Sequence, residues 1–472
     1  MSMATILSKG TFAKRPFRKR SFKGGIYPPE QKGLAAGMPI EVIPTPEEVR
    51  LPLLQHLGAP CKQVIEPRSQ VQLGDIIGRA KGFISAPIHA SLRGTTARVS
   101  ATTLPAGRRV DVIPIKADET QPFTDRAVYD EIFGGDWAIE ELNNYDPEQI
   151  ANTARDAGLV GLGGATFPTH IKLRRNKEKP ISHMLINGAE CEPYLTADYR
   201  LMLEAPRPVI SGAILAGRAV DAEHVTVCIE NNKPKAIKAL RNAAEGTNVS
   251  VCVLKTKYPQ GGEKQLISAV LGKTVPLGGL PLDVGVVVLN VGTTAALARA
   301  VLRGRPLTHR VVTVSGKGVM APKNLLVPIG TSFRYLIDYC GGLNDVAQTV
   351  IAGGPMMGFA VGSLDIPVTK GTSGITVLTQ HETRRFGFGG GDGSGQKPQT
   401  PCLRCGRCVS VCPMNLVPGR IAQAARTNHP QLAERYHADA CVECGCCAFE
   451  CPANIPVVQL IRLSKAMLRR KT

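Results

Sequence analysis

Two runs of cysteine carry the plainest chemistry in this sequence. "CLRCGRCVSVCP" occupies 402–413 and "CVECGCCAFECP" occupies 441–452, and both read C-x2-C-x2-C-x3-C-P. Three thiolates on one tight loop can wrap three corners of an iron–sulfur cube, while a fourth, at the start of a helix, reaches the other cube. That geometry assigns one 4Fe–4S cluster to Cys402, Cys405, Cys408 and Cys451, and a second to Cys441, Cys444, Cys447 and Cys412. Pro413 and Pro452 help to turn the chain after the last ligand of each run. Zinc favours two C-x2-C pairs separated by a longer loop, a spacing these runs lack. Cys446 reads as a small buried residue, and Cys61, Cys191, Cys228, Cys252 and Cys340 as core residues. Nine of the 14 cysteines fall within 402–451, a crowding that in a reducing compartment means metal rather than disulfides.

A chain that holds such clusters moves single electrons and needs a donor or acceptor for them. "GLVGLGGATFPTHIKL" at 158–173 offers a place for one. Gly161, Gly163 and Gly164 remove side chains where backbone amides would approach a phosphate or a flat ring, and Lys172 adds positive charge. The order is not G-x-G-x-x-G, and a glycine-rich turn with no ligand would read the same. Three other segments join it. "INGAECEPYLTADYR" (186–200) bunches Asn187, Glu190 and Glu192 after a strand. "KYPQGGEKQL" (257–266) sets Gly261, Gly262 and Glu263 before a helix, and "VLNVGTTAAL" (288–297) sets Asn290, Thr293 and Thr294 between strand and helix. Ligands of α/β sheets bind beyond the carboxyl ends of the strands, so the four loops are expected to share one pocket.

The elements that must position these residues point to a multidomain α/β chain. Its 472 residues are 43% hydrophobic and 20% charged, a globular composition with room for several domains. Residues 1–50 read as a basic N-terminal extension. Residues 51–118 hold short strands with Gly and Pro turns, a barrel-sandwich β module like that of biotinyl and lipoyl domains. It has no lysine at a carrier hairpin tip, so a structural module is expected. Residues 119–305 alternate helical patterns with the apolar runs "HMLINGAE", "HVTVCIE", "SVCVLK" and "GVVVLNV", which predicts a Rossmann-like, largely parallel α/β domain. A β-grasp-like unit follows at 306–370, a Gly-rich linker at 371–398 and a helical two-cluster, ferredoxin-like domain at 399–472.

The net charge of +19 gathers partly in "KGTFAKRPFRKRSFKGG" and "RLSKAMLRRKT" and favours anionic partners. No basic motif interleaved with aromatics is present, which argues against nucleic acid. No stretch reaches the length of a membrane span, and no apolar segment follows the basic N-terminus as a secretory signal would. The chain is therefore expected to stay in the cytoplasm. The closing "IPVVQLIRLSKAMLRRK" reads as an amphipathic helix that packs on the cluster domain, with contact to an anionic membrane surface as the other reading.

"GLVGLGGATFPTHIKL", "INGAECEP", "GGEKQL" and "LNVGTT" together resemble the flavin- and NADH-binding subunit of respiratory complex I. With "FKGGIYPPE" (22–30) ahead, the β module, and the cysteine runs behind, residues 20–460 resemble the C component of the Rnf (Rsx) ion-translocating complexes. The resemblance implies a peripheral NADH-oxidising subunit on the cytoplasmic side of a bacterial inner membrane. It would pass electrons between NADH and ferredoxin through FMN and two 4Fe–4S clusters, coupled to movement of Na+ or H+. Its partners would be the membrane and ferredoxin-like subunits of the same complex, with ferredoxin served indirectly. The 306–370 unit would be an SLBB domain, and the long repetitive tail of some members is not expected. By similarity, Gly161, Gly163, Gly164 and Lys172 would hold FMN and its phosphate. Asn187, Glu190, Asn290 and Thr293 would bond its ring and ribityl chain, and Phe167, Glu192, Gly262 and Glu263 would flank the dinucleotide. The sequence departs from complex I where paired acids give way to Glu263-Lys264.

NADH gives up two electrons as a hydride and clusters accept one each, so a flavin is expected between them. No catalytic acid, base or nucleophile is required. Two alternatives have the same parts. One is a soluble flavin and iron–sulfur enzyme of the cobalamin-reductase type, which the early "GGIYPPE" and the domain order oppose. The other is an electron-wiring scaffold with clusters and no nucleotide site.

Overall fold

The structure, a computed structural model, describes residues 20–137, 139–387 and 399–469. Most of the basic N-terminal run, the glycine cluster of the expected linker and the last three residues lie outside that description.

The centre of the molecule is a four-stranded parallel sheet. Its strands are His183–Gly188, His224–Glu230, Val249–Leu254 and Val286–Asn290, and across the sheet they run third, second, first, fourth. Both faces are covered, so these strands are near-continuous apolar runs rather than alternating ones. Met184, Ile186, Val227 and Leu289 pack toward helices Pro206–Ala219 and Val291–Arg303. Leu185, Cys228, Cys252 and Val288 pack toward Leu266, Ile267 and Val270 of helix Glu263–Leu271. The first strand thus has the second on one side and the fourth on the other. The reversal opens a crevice at the carboxyl ends of His183–Gly188 and Val286–Asn290, where doubly wound folds bind ligands.

Two antiparallel sheets form the β module. One runs Glu48–Pro52, Arg109–Ala117, Gly94–Thr96, Gln70–Val71, and the other Lys62–Gln63, Ile76–Arg79, Ile88–His89. Val49, Leu51, Val71, Ile77, Ile113 and Ile115 fill the space between them. A six-stranded mixed sheet backed by helix Phe333–Tyr339 makes the β-grasp unit.

Two expected boundaries are corrected by that mixed sheet. Residues 371–398 do not begin as a linker, because Gly374–Thr379 is an inner strand between His309–Ser315 and Ala347–Ala352, followed by helix Gln380–Arg385. Its apolar β-branched residues satisfy their backbone against partners far away in sequence. Residues 20–50 are not an appendage either. Ile40–Val42 pairs in parallel with Lys323–Pro328 at the edge of the same sheet.

The cysteine domain repeats its backbone as well as its sequence. Arg404 and Glu443, Gly406 and Gly445, and Asn415 and Asn454 take matching positive φ values in the two halves. Short helices Arg407–Ser410 and Cys446–Phe449 follow each loop. Helix Val457–Arg469 buries Val457, Val458 and Ile461 against helix Pro418–Arg426, and Ser464 donates to the Ile421 carbonyl at 2.9 Å. Its apolar face is thus occupied by its own domain. Among the described residues, no helix is long and apolar enough to cross a membrane.

Candidate functional site

The glycine loop lies over the crevice. Leu162 donates its N–H to Thr293 Oγ1 at 2.8 Å, and that hydroxyl donates to the Val160 carbonyl at 3.2 Å. Gly161 donates to the Phe167 carbonyl at 2.9 Å, closing the loop. Gly163 and Gly164 are exposed at its apex. A side chain begun at Gly163 would head for Asn290, whereas Gly164 faces open space. Asn290 caps helix Val291–Arg303, its Oδ1 accepting from Gly292 at 2.8 Å, and its Nδ2 donates to Asp198 at 2.7 Å. Asn187 donates to the Gly261 carbonyl at 2.8 Å. Lys172 reaches across to Glu263 at 2.6 Å and the Val288 carbonyl at 3.1 Å. The loops named from sequence therefore converge at one end of one sheet.

The two glutamates both accept from backbone amides. Glu190, only 5% exposed in its side chain, accepts from the Asp198 and Tyr199 amides at 2.7 and 3.2 Å and lies 3.9 Å from Lys32 Nζ. It thereby satisfies amides in the first turn of helix Ala197–Glu204. Glu192 accepts from the Met356 and Met357 amides at 3.1 and 2.8 Å, which ties the crevice to the β-grasp unit. Both of its oxygens thus accept from protein amides. Burial pushes Glu192 up to about 7 against the pull of those amides. Burial also raises Glu190 and lowers Lys32, each opposed by the other's charge.

Several residues here carry no motif of their own in the sequence. Gln260 is fully buried in the loop before Gly261, yet neither its Nε2 nor its Oε1 has a partner among the described residues. An unmet buried amide is costly, so this group fits a site that receives a polar ligand. Lys233 and Glu230 form a buried pair at 3.3 Å, and Lys233 donates to the Ala189 carbonyl at 2.7 Å. Arg310 and Lys370 brace the glycine loop from outside. Arg310 donates to the Leu162 carbonyl at 3.3 Å and to the Lys370 carbonyl, while Lys370 Nζ donates to the Gly158 and Pro87 carbonyls at 2.7 and 2.6 Å. Arg310 interrupts "HRVVTVS" as a lone charge in an apolar strand, the one sequence signal for this brace.

Burial without a facing carboxylate pushes the Lys370 amine down to about 7. The unfolded chain keeps the usual value of about 10.4. Between about pH 7 and pH 10 the unfolded state then binds the extra proton, so this group makes stability rise with pH across that window and adds no slope below it. Lys370→Met is expected to flatten the rise and to strand the Gly158 and Pro87 carbonyls. Urea midpoints for flavin release at pH 7 and pH 9 measure both effects.

The cysteine loops fit two clusters. Burial raises the Cys408 thiol, and the thiols that raise it further are Cys451, Cys402 and Cys405. Burial pushes Cys441 up to about 11, and Cys444 and Cys412 add to it. Cys408 also acts on Cys412 and Cys447, so the two loops lie close to each other. Backbone N–H groups of Arg404, Leu416 and Glu443 point at Cys402, Cys412 and Cys441 at 3.4, 3.4 and 3.3 Å, as suits sulfur that carries negative charge. Cys446 is fully buried beside Cys444.

The second quartet faces the crevice domain. Tyr258 is buried and donates its hydroxyl to the Cys444 carbonyl at 2.7 Å, and Gln265 Nε2 lies 3.4 Å from the Pro413 carbonyl. The first quartet faces outward, with Cys402 and Cys405 exposed.

Four family profiles match the chain in order. They are the RnfC barrel sandwich hybrid domain over 20–120, the Nuo51 FMN-binding domain over 154–299, the SLBB domain over 311–360 and the 4Fe-4S dicluster domain over 401–455. The C component of the proton-translocating ferredoxin:NAD(+) oxidoreductase complex of Clostridium ljungdahlii is 43% identical over 403 residues, 85% of this chain and 84% of that protein. The C component of the Na(+)-translocating complex of Acetobacterium woodii is 41% identical, covering 86% of this chain and 88% of that protein. Among solved structures, the air-oxidised NAD+-reducing NiFe-hydrogenase shares the fold at a TM-score of 0.51 with 20% identity, over 72% of this chain and 66% of that one. The chain belongs to the RnfC family, the C components of ion-translocating ferredoxin:NAD(+) oxidoreductase complexes.

Proposed function

We propose that this chain is the NADH-oxidising subunit of such a complex, with FMN over the glycine loop and two 4Fe–4S clusters in the cysteine domain. When bound, FMN exchanges the hydride of NADH for single electrons that clusters can carry. The observation that carries the reading is the direct packing of the crevice against one cysteine quartet, through Tyr258 and Cys444 at 2.7 Å. Gly163 and Gly164 leave room for a flat ring, and the amides of the loop serve its phosphate. Thr293 holds that loop in place, and Asn290 caps the helix that carries Thr293. Lys172 and Glu263 pair at the mouth, so Glu263 acts on a dinucleotide together with its lysine. Gly262 opens helix Glu263–Leu271 beside Gln260, and Phe167 closes the glycine loop.

The quartets then differ in role. Cys412, Cys441, Cys444 and Cys447 hold the inner cluster, next to the crevice. Cys402, Cys405, Cys408 and Cys451 hold the outer cluster, from which electrons leave. Leu403 is 65% exposed beside it, and the same stretch carries Arg404, Arg407, Arg420 and Arg426 with no carboxylate between 399 and 433. That face suits an acidic electron-carrying subunit of the same complex, held at the cytoplasmic surface of the membrane. Anaerobic titration of the purified chain with NADH, followed by absorbance and EPR, tests the reading. Flavin bleaching with reduced-cluster signals is expected. Clusters that respond to dithionite but not to NADH, in flavin-loaded protein, would move the entry point elsewhere.

A further inference from the structure

The segment "FKGGI" at 22–26 belongs to neither the crevice nor the cysteine loops, yet it runs between them. On one side Gly25 donates its N–H to the Val411 carbonyl at 2.8 Å, next to the ligand Cys412. On the other, Ile26 and Tyr258 exchange backbone hydrogen bonds at 2.9 and 3.0 Å. Lys257 Nζ donates to the Phe22 carbonyl at 3.1 Å and lies 4.8 Å from the Phe22 ring centre. Ile26, Tyr258, Met356, Cys444 and Cys446 share one small apolar core.

The paired glycines are dictated by this threading. Gly24 and Gly25 have φ of +77° and +75°, which L side chains rarely adopt. A Cβ on Gly24 would sit 2.8 Å from the Cys412 carbonyl oxygen, and one on Gly25 would sit 2.5 Å from the Tyr258 carbonyl oxygen. Two backbones thus approach the strap at the same point, one from the loop beneath the glycine-rich crevice and one from an inner-cluster ligand.

We infer that residues 22–26 and the Tyr258 hydroxyl form a clamp that fixes the inner-cluster loop against the crevice, and so sets the gap across which electrons pass. The inference rests on the assignment of flavin to the crevice. With both groups bound, one electron would cross per transfer, leaving reduced flavin and entering the inner cluster. NADH supplies the pair, and the acceptor beyond the outer cluster removes them singly. Tyr258, Gly24 and Gly25 are positioning residues, since none need touch the reacting atoms.

Tyr258→Phe and Gly24→Ala in the full, cluster-loaded chain test the clamp in two ways. Hydrogen exchange of the oxidised protein reads it without any electron transfer. Amides of 22–26 and 441–447 should exchange faster in both variants, with 158–164 unchanged. Rapid mixing with NADH reads its consequence. Flavin bleaching should keep its wild-type rate while the inner-cluster EPR signal rises about tenfold more slowly or worse, since a small displacement of reacting centres is costly in rate. The dithionite-reduced spectra should keep both clusters. Wild-type exchange in Tyr258→Phe, or cluster reduction as fast as wild type in flavin-loaded, iron-loaded variants, overturns the clamp. If Gly24→Ala loses iron, the milder Tyr258→Phe decides. Wild-type protein whose flavin ignores NADH would sink the site assignment instead, and the exchange result would still judge the clamp.

Discussion

Gly163→Leu is expected to abolish NADH-dependent dye reduction and to leave the purified chain without flavin, while both clusters remain. A side chain begun at Gly163 meets Asn290 Cβ and Nδ2 at 3.4 Å, so a single methyl is in ordinary contact and Gly163→Ala should retain most flavin. Each further carbon must enter the space above Asn290, or push Asn290 off the helix end it caps. The second course also strands Asp198, whose partner is Asn290 Nδ2. Retreat of the loop is blocked from behind, because Thr293 holds Val160 and Leu162, and Arg310 holds the Leu162 carbonyl. The added bulk therefore displaces the ligand rather than the loop. Gly164→Ala fails for a different reason. Nothing lies within 4 Å of its Cβ, but its φ of +102° costs about 1 kcal/mol or more for an L residue. Flavin fluorescence after denaturation, iron content and the dye assay separate these cases. Full flavin and activity in Gly163→Leu would remove the loop from the site.

What could be read before the fold was known follows from the range of each interaction. The two cysteine runs were legible because the repeated C-x2-C-x2-C-x3-C-P spacing is local, and the 4Fe-4S dicluster profile covers both. The four parallel strands were legible because burial on both faces makes each an apolar run. Strands Ile40–Val42 and Gly374–Thr379 were not, since one pairs with residues about 284 positions away and the other sits beside glycines that suggest a linker. The glutamates of "AECEP" look like ligand groups because carboxylates among glycines at a strand end often are. Which amide each carboxylate meets depends on how the β-grasp loop at 356–357 and helix Ala197–Glu204 dock. Tyr258 and Gln260 carry no signal at all in one sequence. Their importance arises only when the cysteine domain is set against the crevice.

The same docking makes the two cysteine quartets unequal, and Cys405→Ser against Cys447→Ser is expected to show it. Each removes one ligand of one cube, so each should cost about half of the iron. Cys405 is exposed, so a serine there is solvated and the surrounding chain is unaffected. Flavin content should stay at the wild-type level, NADH should bleach the flavin, and the remaining cluster should still be reduced by NADH. Only delivery to an external acceptor protein should fail. Cys447 is buried among Cys412, Cys441 and Cys444. Losing the inner cluster there breaks the path next to Tyr258. NADH should then bleach flavin while the outer cluster stays oxidised, although dithionite still reduces it. The pair is decided by EPR after NADH in each variant. Outer-cluster reduction by NADH in Cys447→Ser, or failure of inner-cluster reduction in flavin-loaded Cys405→Ser, would reverse the order of the clusters. Such a reversal would require electrons to enter the cysteine domain from its exposed face, away from the contact between Tyr258 and the Cys444 carbonyl.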